Sequence, residues 1–190
     1  MTEAEGVRLR RAEWEDVDFL VELLTHEEIE PFLAAAAARD RGDLLDEIDR
    51  SLAEPEEFGR FVIEVDDGGE WRRAGAVGFE GRNRRSRIAF LQRLAVHPDF
   101  RGRRVGDRAA RLLQRHLIFD LGYHRLELEV YGFNERAIAH AERSGFVREG
   151  VKRRAYLRNG EWVDGVLFGL VREDLEAMSE GQSLGHGPSE

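Results

Sequence analysis

The chain has 190 residues, of which 42% are hydrophobic and 35% charged, with a net charge of −9, which suits one domain with a substantial core. It has no cysteine, which excludes disulfides, thiolate catalysis and cysteine-ligated metal. The start, MTEAEGVRLRR, has no apolar h-region, and no stretch approaches about 18 apolar residues, so a cytoplasmic protein without a membrane partner is expected.

Strands and helices alternate along the chain. Val7–Arg11 reads as a short strand. A helix follows over Glu13–Leu24, with Val17, Leu20, Val21 and Leu24 on one face. Glu28–Ala38 is irregular or helical and is interrupted by Pro31. Asp43 is placed to cap a helix to about Ala53, with a stripe of Leu44, Leu45, Ile48 and Leu52. Strands are expected at Phe61–Val65, Ala74–Glu80 and Arg87–Val96, the first two joined by the turn residues Asp66–Gly69. A helix from Gly102 to about Leu121 buries Val105, Ala109, Leu112, Leu113, His116 and Leu117 and stops at Gly122. Arg125–Tyr131 alternates strictly, with Leu126, Leu128 and Val130 on one face and Glu127, Glu129 and Tyr131 on the other. Asn134 caps a helix to Arg143. Phe146–Val151 and Trp162–Val171 are the last strands, linked through Asn159-Gly160. The pattern is mixed α/β, with about seven strands and four helices. Residues 1–178 form one domain, and the small, polar stretch 179–190 reads as a disordered tail.

Charge is unevenly spread. Arg82–Arg111 holds ten arginines against Asp99 and Asp107, a segment of +8 in a chain that is otherwise −17. A basic island in an acidic protein suggests a local anion site, while the overall charge argues against nucleic acid as a partner. The island contains the strand–loop–helix unit LAVHPDFRGRRVGDRAA. Gly102 and Gly106 let the backbone approach a ligand closely. The first helical N–H groups lack intrahelical partners and carry partial positive charge, which suits phosphate. Arg101, Arg103 and Arg104 add full charges.

This segment resembles the coenzyme-A motif Q/R-x-x-G-x-G/A of the GNAT superfamily of N-acetyltransferases, with Arg101 and Gly106 at its ends. Its middle glycine is Arg104 here, which implies a loop conformation open to a non-glycine residue. Downstream, LEVYGFNERAIAHAERSGFVREG resembles the family's second motif through Leu128, Val130, Asn134, Ala137, Ile138, Glu142, Gly145, Phe146, Glu149 and Gly150. The closing Asn159–Asp164 hairpin resembles that of the ribosomal-protein and spermidine acetyltransferase branches. The resemblance covers roughly Val7–Leu175. It implies a GNAT-like α+β fold with a bent mixed sheet splayed between the strands ending near Val96 and Tyr131. It also implies acetyl-CoA as co-substrate. The pantetheine would run beside Leu94, Ala95 and Val96, the pyrophosphate over Arg101, Gly102, Arg103, Arg104, Val105, Gly106 and Asp107, and Asn134 would line the pantetheine or order a water.

Amine acetylation needs a neutral amine, a donor for the oxyanion and a proton for the departing thiolate. The resemblance makes Glu129 the base, with Glu80 the second candidate. The family's acidic tyrosine is Ala141 here, which leaves three readings: Tyr131 or Tyr156 substitutes, water protonates the thiolate, or the protein binds acyl-CoA without turnover. His140 reads as a surface residue and His97 as a strand-end residue. Phe32 is placed near the acceptor side. The six histidines show no metal-ligand spacing, so no metal is expected. The acceptor is a small-molecule amine or a protein N-terminus, and a homodimer accords with the family's habits. An N-acetyltransferase and a non-catalytic acyl-CoA sensor are the two functions in competition.

Overall fold

The computed structural model describes residues 2–4, 6–33 and 40–183. Among them are eight strands in one sheet and five α-helices. The strands are β1 Thr2–Ala4, β2 Val7–Arg11, β3 Phe58–Asp66, β4 Trp71–Asn83, β5 Ile88–Val96, β6 Arg125–Tyr131, β7 Val147–Arg158 and β8 Glu161–Val171. The helices are α1 Val17–Thr25, α2 Arg41–Ala53, α3 Val105–Arg115, α4 Glu135–Arg143 and α5 Arg172–Ser183. The sheet order is β1-β2-β3-β4-β5-β6-β8-β7, with β5 and β6 its one parallel pair among these strands.

Each face of the sheet has its own apolar layer. On one, Leu20, Leu23, Leu24, Leu44 and Ile48 of α1 and α2 pack on Val62, Ala76 and Ala95. On the other, Val105, Ala109, Leu112 and Leu113 of α3 meet Ile63, Val77, Leu126 and Phe168. A strand covered on both sides is apolar on both, so β3 is buried along all but its last residue.

Several boundaries differ from the periodicity reading. Asp40, not Asp43, caps α2; its side chain accepts from the Asp43 backbone N–H. The residue that cannot continue a helix, at extended φ and ψ, is the one placed to cap it. Leu23 replaces Val21 in the buried face of α1, and Leu52 of α2 is exposed while Ser51 is buried. Ser51 can be buried because its hydroxyl accepts from the Arg60 backbone and from Arg11. The long helix gives way after Arg115 to a π turn at His116–Asp120. The final helix α5 lies beyond the expected strands and runs five residues into the stretch read as a tail. Leu175 is buried and Met178 packs against Gly145, contacts that fix this amphipathic segment. Residues 184–190 of that tail, and the run Ala34–Ala38, lie outside the described residues.

The polar interior centres on Glu47. Arg60 of β3 is 1% exposed and donates to Glu47 at 2.7 Å, and Arg93 of β5 donates to the same carboxylate at 2.7–2.8 Å. Burial pushes the Arg60 guanidinium down to about 10. Removing the shared carboxylate strands two desolvated cations, so Glu47→Ala is expected to cost about 3–5 kcal/mol in urea unfolding; a loss below about 1 kcal/mol would show that the pair is not desolvated.

Candidate active site

The parallel pairing of β5 with β6 covers Ile88, Ala89 and Phe90 against Arg125, Leu126 and Glu127, and then stops. On the β4 side the register jumps from Gln92↔Gly78 to Ala95↔Ala76, a bulge that leaves Arg93 and Leu94 without partners. Arg93 sits at φ 57°, a left-handed conformation that redirects the strand. The gap between Leu91–Val96 and Leu128–Tyr131 is the expected splay.

The chain leaves β5 through Pro98–Phe100 into the basic loop. His97 accepts from the Asp99 backbone N–H and packs against His26 and Phe100. Gly102 has φ 79°, and Arg104, the N-cap of α3, has φ 56°. The loop therefore admits a non-glycine residue at this position, but in the left-handed state that glycine adopts without strain. The Arg104 side chain makes no capping hydrogen bond to the start of α3. Arg103 and Arg104 are exposed, and Arg101 pairs with Glu28 while its Nε is buried without a hydrogen bond. This donor set fits a diphosphate.

His140 is not the surface residue expected. It is turned onto the start of α3, its Nε2 at 3.2 Å from Asp107 Oδ1 and beside the bare Cα of Gly106. Helix phase decides this, since His140 shares the α3-facing side with Ala137 and Ala141. Burial lowers its pKa, against the upward pull of Asp107 and the Gly106 backbone. Asn134 caps α4 by accepting from the Ala137 N–H. Ala141 is buried in the core with Phe146, Leu170 and Leu175.

On the α1 and α2 face of β6, Glu129 extends across Gly165 of β8, where a Cβ would collide with both Glu129 and Tyr156. The carboxylate accepts from Tyr156 Oη at 2.6 Å and from Lys152 Nζ at 2.7 Å. Tyr131 is 8% exposed, in ring contact with Phe133 and Tyr156 at 5.4 Å each. Phe32 packs on Phe133 at 6.0 Å, and Arg158 ties β7 to the Pro31 carbonyl. A cleft of 720 Å³ lined by Arg153, Arg154 and Asp164 opens next to Gly165. Glu80 is elsewhere, paired with Arg50 at 2.9 Å. Thus Glu129, Tyr131 and Tyr156 come together and Glu80 does not join them. Lys152 was missed, although its being the sole lysine beside 28 arginines is visible in the sequence. Among the described residues no cluster of three or more His, Asp or Glu could hold a metal ion, and no helix is long and apolar enough to cross a membrane.

The acetyltransferase (GNAT) family model matches residues 17–146. The chain belongs to the GNAT family. It is an acetyl-CoA-dependent N-acetyltransferase. It is 27% identical to the spermidine N(1)-acetyltransferase of Escherichia coli (strain K12) over 97% of both chains. An uncharacterized N-acetyltransferase, YokL, of Bacillus subtilis (strain 168) is 32% identical over 44% of this chain, which spans about half (47%) of that relative's length. Among solved structures, spermidine N-acetyltransferase from Vibrio cholerae in complex with CoA and spermine superposes with TM-score 0.80 at 20% identity, over 90% of this chain and 98% of that one. A GNAT fold is thereby established, with the splay between β5 and β6.

Two outcomes follow from the loop. Arg104→Gly relieves the left-handed strain and should raise unfolding stability by about 1 kcal/mol; a neutral or destabilising result in urea would refute that strain. His140 is held neutral in the fold, below its ordinary 6.5. Its contribution is therefore intact above pH 6.5 and is lost as pH falls through the folded value, because the unfolded chain then binds the extra proton. His140→Leu should flatten stability against pH in that window, as thermal melts from pH 7 to 5 would show.

Proposed function

We propose that this enzyme acetylates a primary amine of a polyamine, with Glu129 as the base. The supporting observation is the Glu129 carboxylate beside the splay, its one oxygen holding an ammonium and its other a phenol. A site that binds one ammonium suits a cationic acceptor, and the acidity of the chain outside Arg82–Arg111 favours its approach. The spermidine acetyltransferases that this chain resembles along nearly its whole length support the same substrate class.

In this reading the acceptor ammonium docks on Glu129 and gives it a proton, and the neutral nitrogen attacks the thioester carbonyl. Backbone N–H groups at the Arg93–Leu94 bulge stabilise the oxyanion. Leu94, Ala95 and Val96 run beside the pantetheine, Asn134 lines it, and the Arg101–Asp107 loop holds the diphosphate. As the adduct collapses the C–S bond breaks, the nitrogen loses its second proton to solvent, and the proton on Glu129 passes through Tyr156 to the departing sulfur. Tyr156 takes the place of the phenol that Ala141 lacks; its pKa is raised by burial and then by Glu129, which keeps it protonated at neutral pH. Glu47 acts at a distance, since its pair with Arg93 anchors the bulge to α2. Glu80 has no part in the reaction. Self-association belongs to the same proposal: Val147, Val151 and Leu157 are exposed along the edge strand β7, and a spermidine acetyltransferase structure with TM-score 0.76 is described as dodecameric.

The test is CoA thiol release over a panel of spermidine, spermine, monoamines and N-terminal peptides. Polyamines should be turned over fastest, and Glu129→Gln should lower kcat about 100-fold or more with the KM for acetyl-CoA nearly unchanged. An unchanged kcat with the same pH profile would remove Glu129 as base. CoA release on monoamines or N-terminal peptides but not on polyamines would remove the polyamine as acceptor.

A further inference from the structure

Twenty-nine side chains in this protein are lysine or arginine, and Lys152 alone is lysine. The difference is chemical, because a guanidinium stays protonated at any physiological pH whereas an ammonium can lose its proton and become a nucleophile. Lys152 is therefore the one side chain carrying a primary amine, the group that forms a stable amide with a thioester. It stands on β7 opposite Gly165, which in turn lies opposite Tyr131 on β6. With no side chain on Gly165, nothing separates Lys152 from Glu129, and Nζ lies 2.7 Å from Oε2. The Glu129 side chain is 10% exposed and that of Lys152 46%, so the carboxylate is held while the amine has room to swing.

We propose that Lys152 is an acceptor in its own right, and that the enzyme acetylates it from acetyl-CoA. This rests on Glu129 being the base. The Lys152 ammonium gives a proton to Glu129, and the neutral nitrogen bonds to the thioester carbonyl carbon. The tetrahedral adduct collapses with cleavage of the C–S bond. The sulfur leaves as thiolate and takes up the proton, so the products are acetyl-lysine, free CoA and one proton released overall. The amide so formed is neutral. It no longer holds Glu129 Oε2, and that oxygen is freed for the ammonium of an external acceptor. Unmodified Lys152 is thus a competitor of the acceptor, and its acetylation removes the competition. The hydrogen bond to Glu129 raises the Lys152 pKa, so the neutral amine is scarce at pH 7 and the reaction should quicken about tenfold per pH unit from 7 to 9.

The full-length protein is incubated with acetyl-CoA and no amine, and Lys152 is followed by intact mass and peptide mapping. A gain of one acetyl group, about 42 Da, is expected at Lys152. Lys152→Arg keeps a cation on Glu129 and should show no gain within that segment, while Glu129→Gln should label at least about tenfold more slowly. Circular dichroism establishes that both variants fold. The amine panel is run in parallel on the same preparation. Turnover of polyamines with Lys152 unmodified throughout would overturn the proposal and leave the polyamine reading standing. Labelling of Glu129→Gln at the wild-type rate would also overturn it, since the modification would then be uncatalysed. Acetylation of Lys152 without turnover of any amine would uphold the proposal and sink the polyamine reading.

Discussion

Two adjacent parallel strands that stop pairing are the constraint on which this molecule depends. Past Phe90, β5 and β6 no longer share hydrogen bonds, and buried strand edges left unpaired are costly. The opening leaves backbone groups on both strand edges that an extended ligand arm could pair with, which is why the proposed coenzyme site lies there. The bulge at Arg93–Leu94 supports this geometry, and Glu47 fixes the bulge by binding Arg93 and Arg60 together. A half-buried carboxylate shared by two guanidiniums is costly to remove, so α2 is tied to the strand that borders the gap.

The two ends of the gap are built from different electrostatics. At one, the start of α3 and the exposed Arg103 and Arg104 carry positive charge, which suits the diphosphate proposed to bind there. Asp107 sits in the same turn as a local negative charge, and His140 and Arg143 lie against it. At the other end a single carboxylate, Glu129, is held between a phenol and an ammonium. One domain thus carries a basic loop and a carboxylate at opposite ends of the gap, which is the charge arrangement that the proposed reaction of a polyanionic donor with a cationic acceptor needs.

The local make-up of the loop at Arg101–Asp107 was legible in the sequence. Gly102, Gly106 and the arginines between them have an intrinsic chemistry, and the strand and helix around them have clear periods. The strict alternation of Arg125–Tyr131 placed Glu129 and Tyr131 on one face, where the structure has them. Less legible were positions whose state depends on a partner distant in sequence. Arg104 could not be assigned a left-handed backbone from its type, because arginine rarely adopts one. His140 read as exposed because its burial comes from α3, over thirty residues away. Asp43 looked like a cap because its type suits one, whereas the backbone turns at Asp40.

The sequence by itself determined most of the order of the elements, the glycine- and arginine-rich loop after β5, the absence of cysteine chemistry and the alanine at position 141 where the family has a phenol, since each follows from residue type and local spacing. Tertiary structure decided what surrounds the reacting groups. Tyr156 and Lys152 reach Glu129 only because β7 folds back along β8 and because Gly165 leaves the space between them empty. Their separation along the chain, more than twenty residues from Glu129, conceals a contact that strand pairing creates, and cross-strand register is a property of the whole sheet rather than of any segment within it.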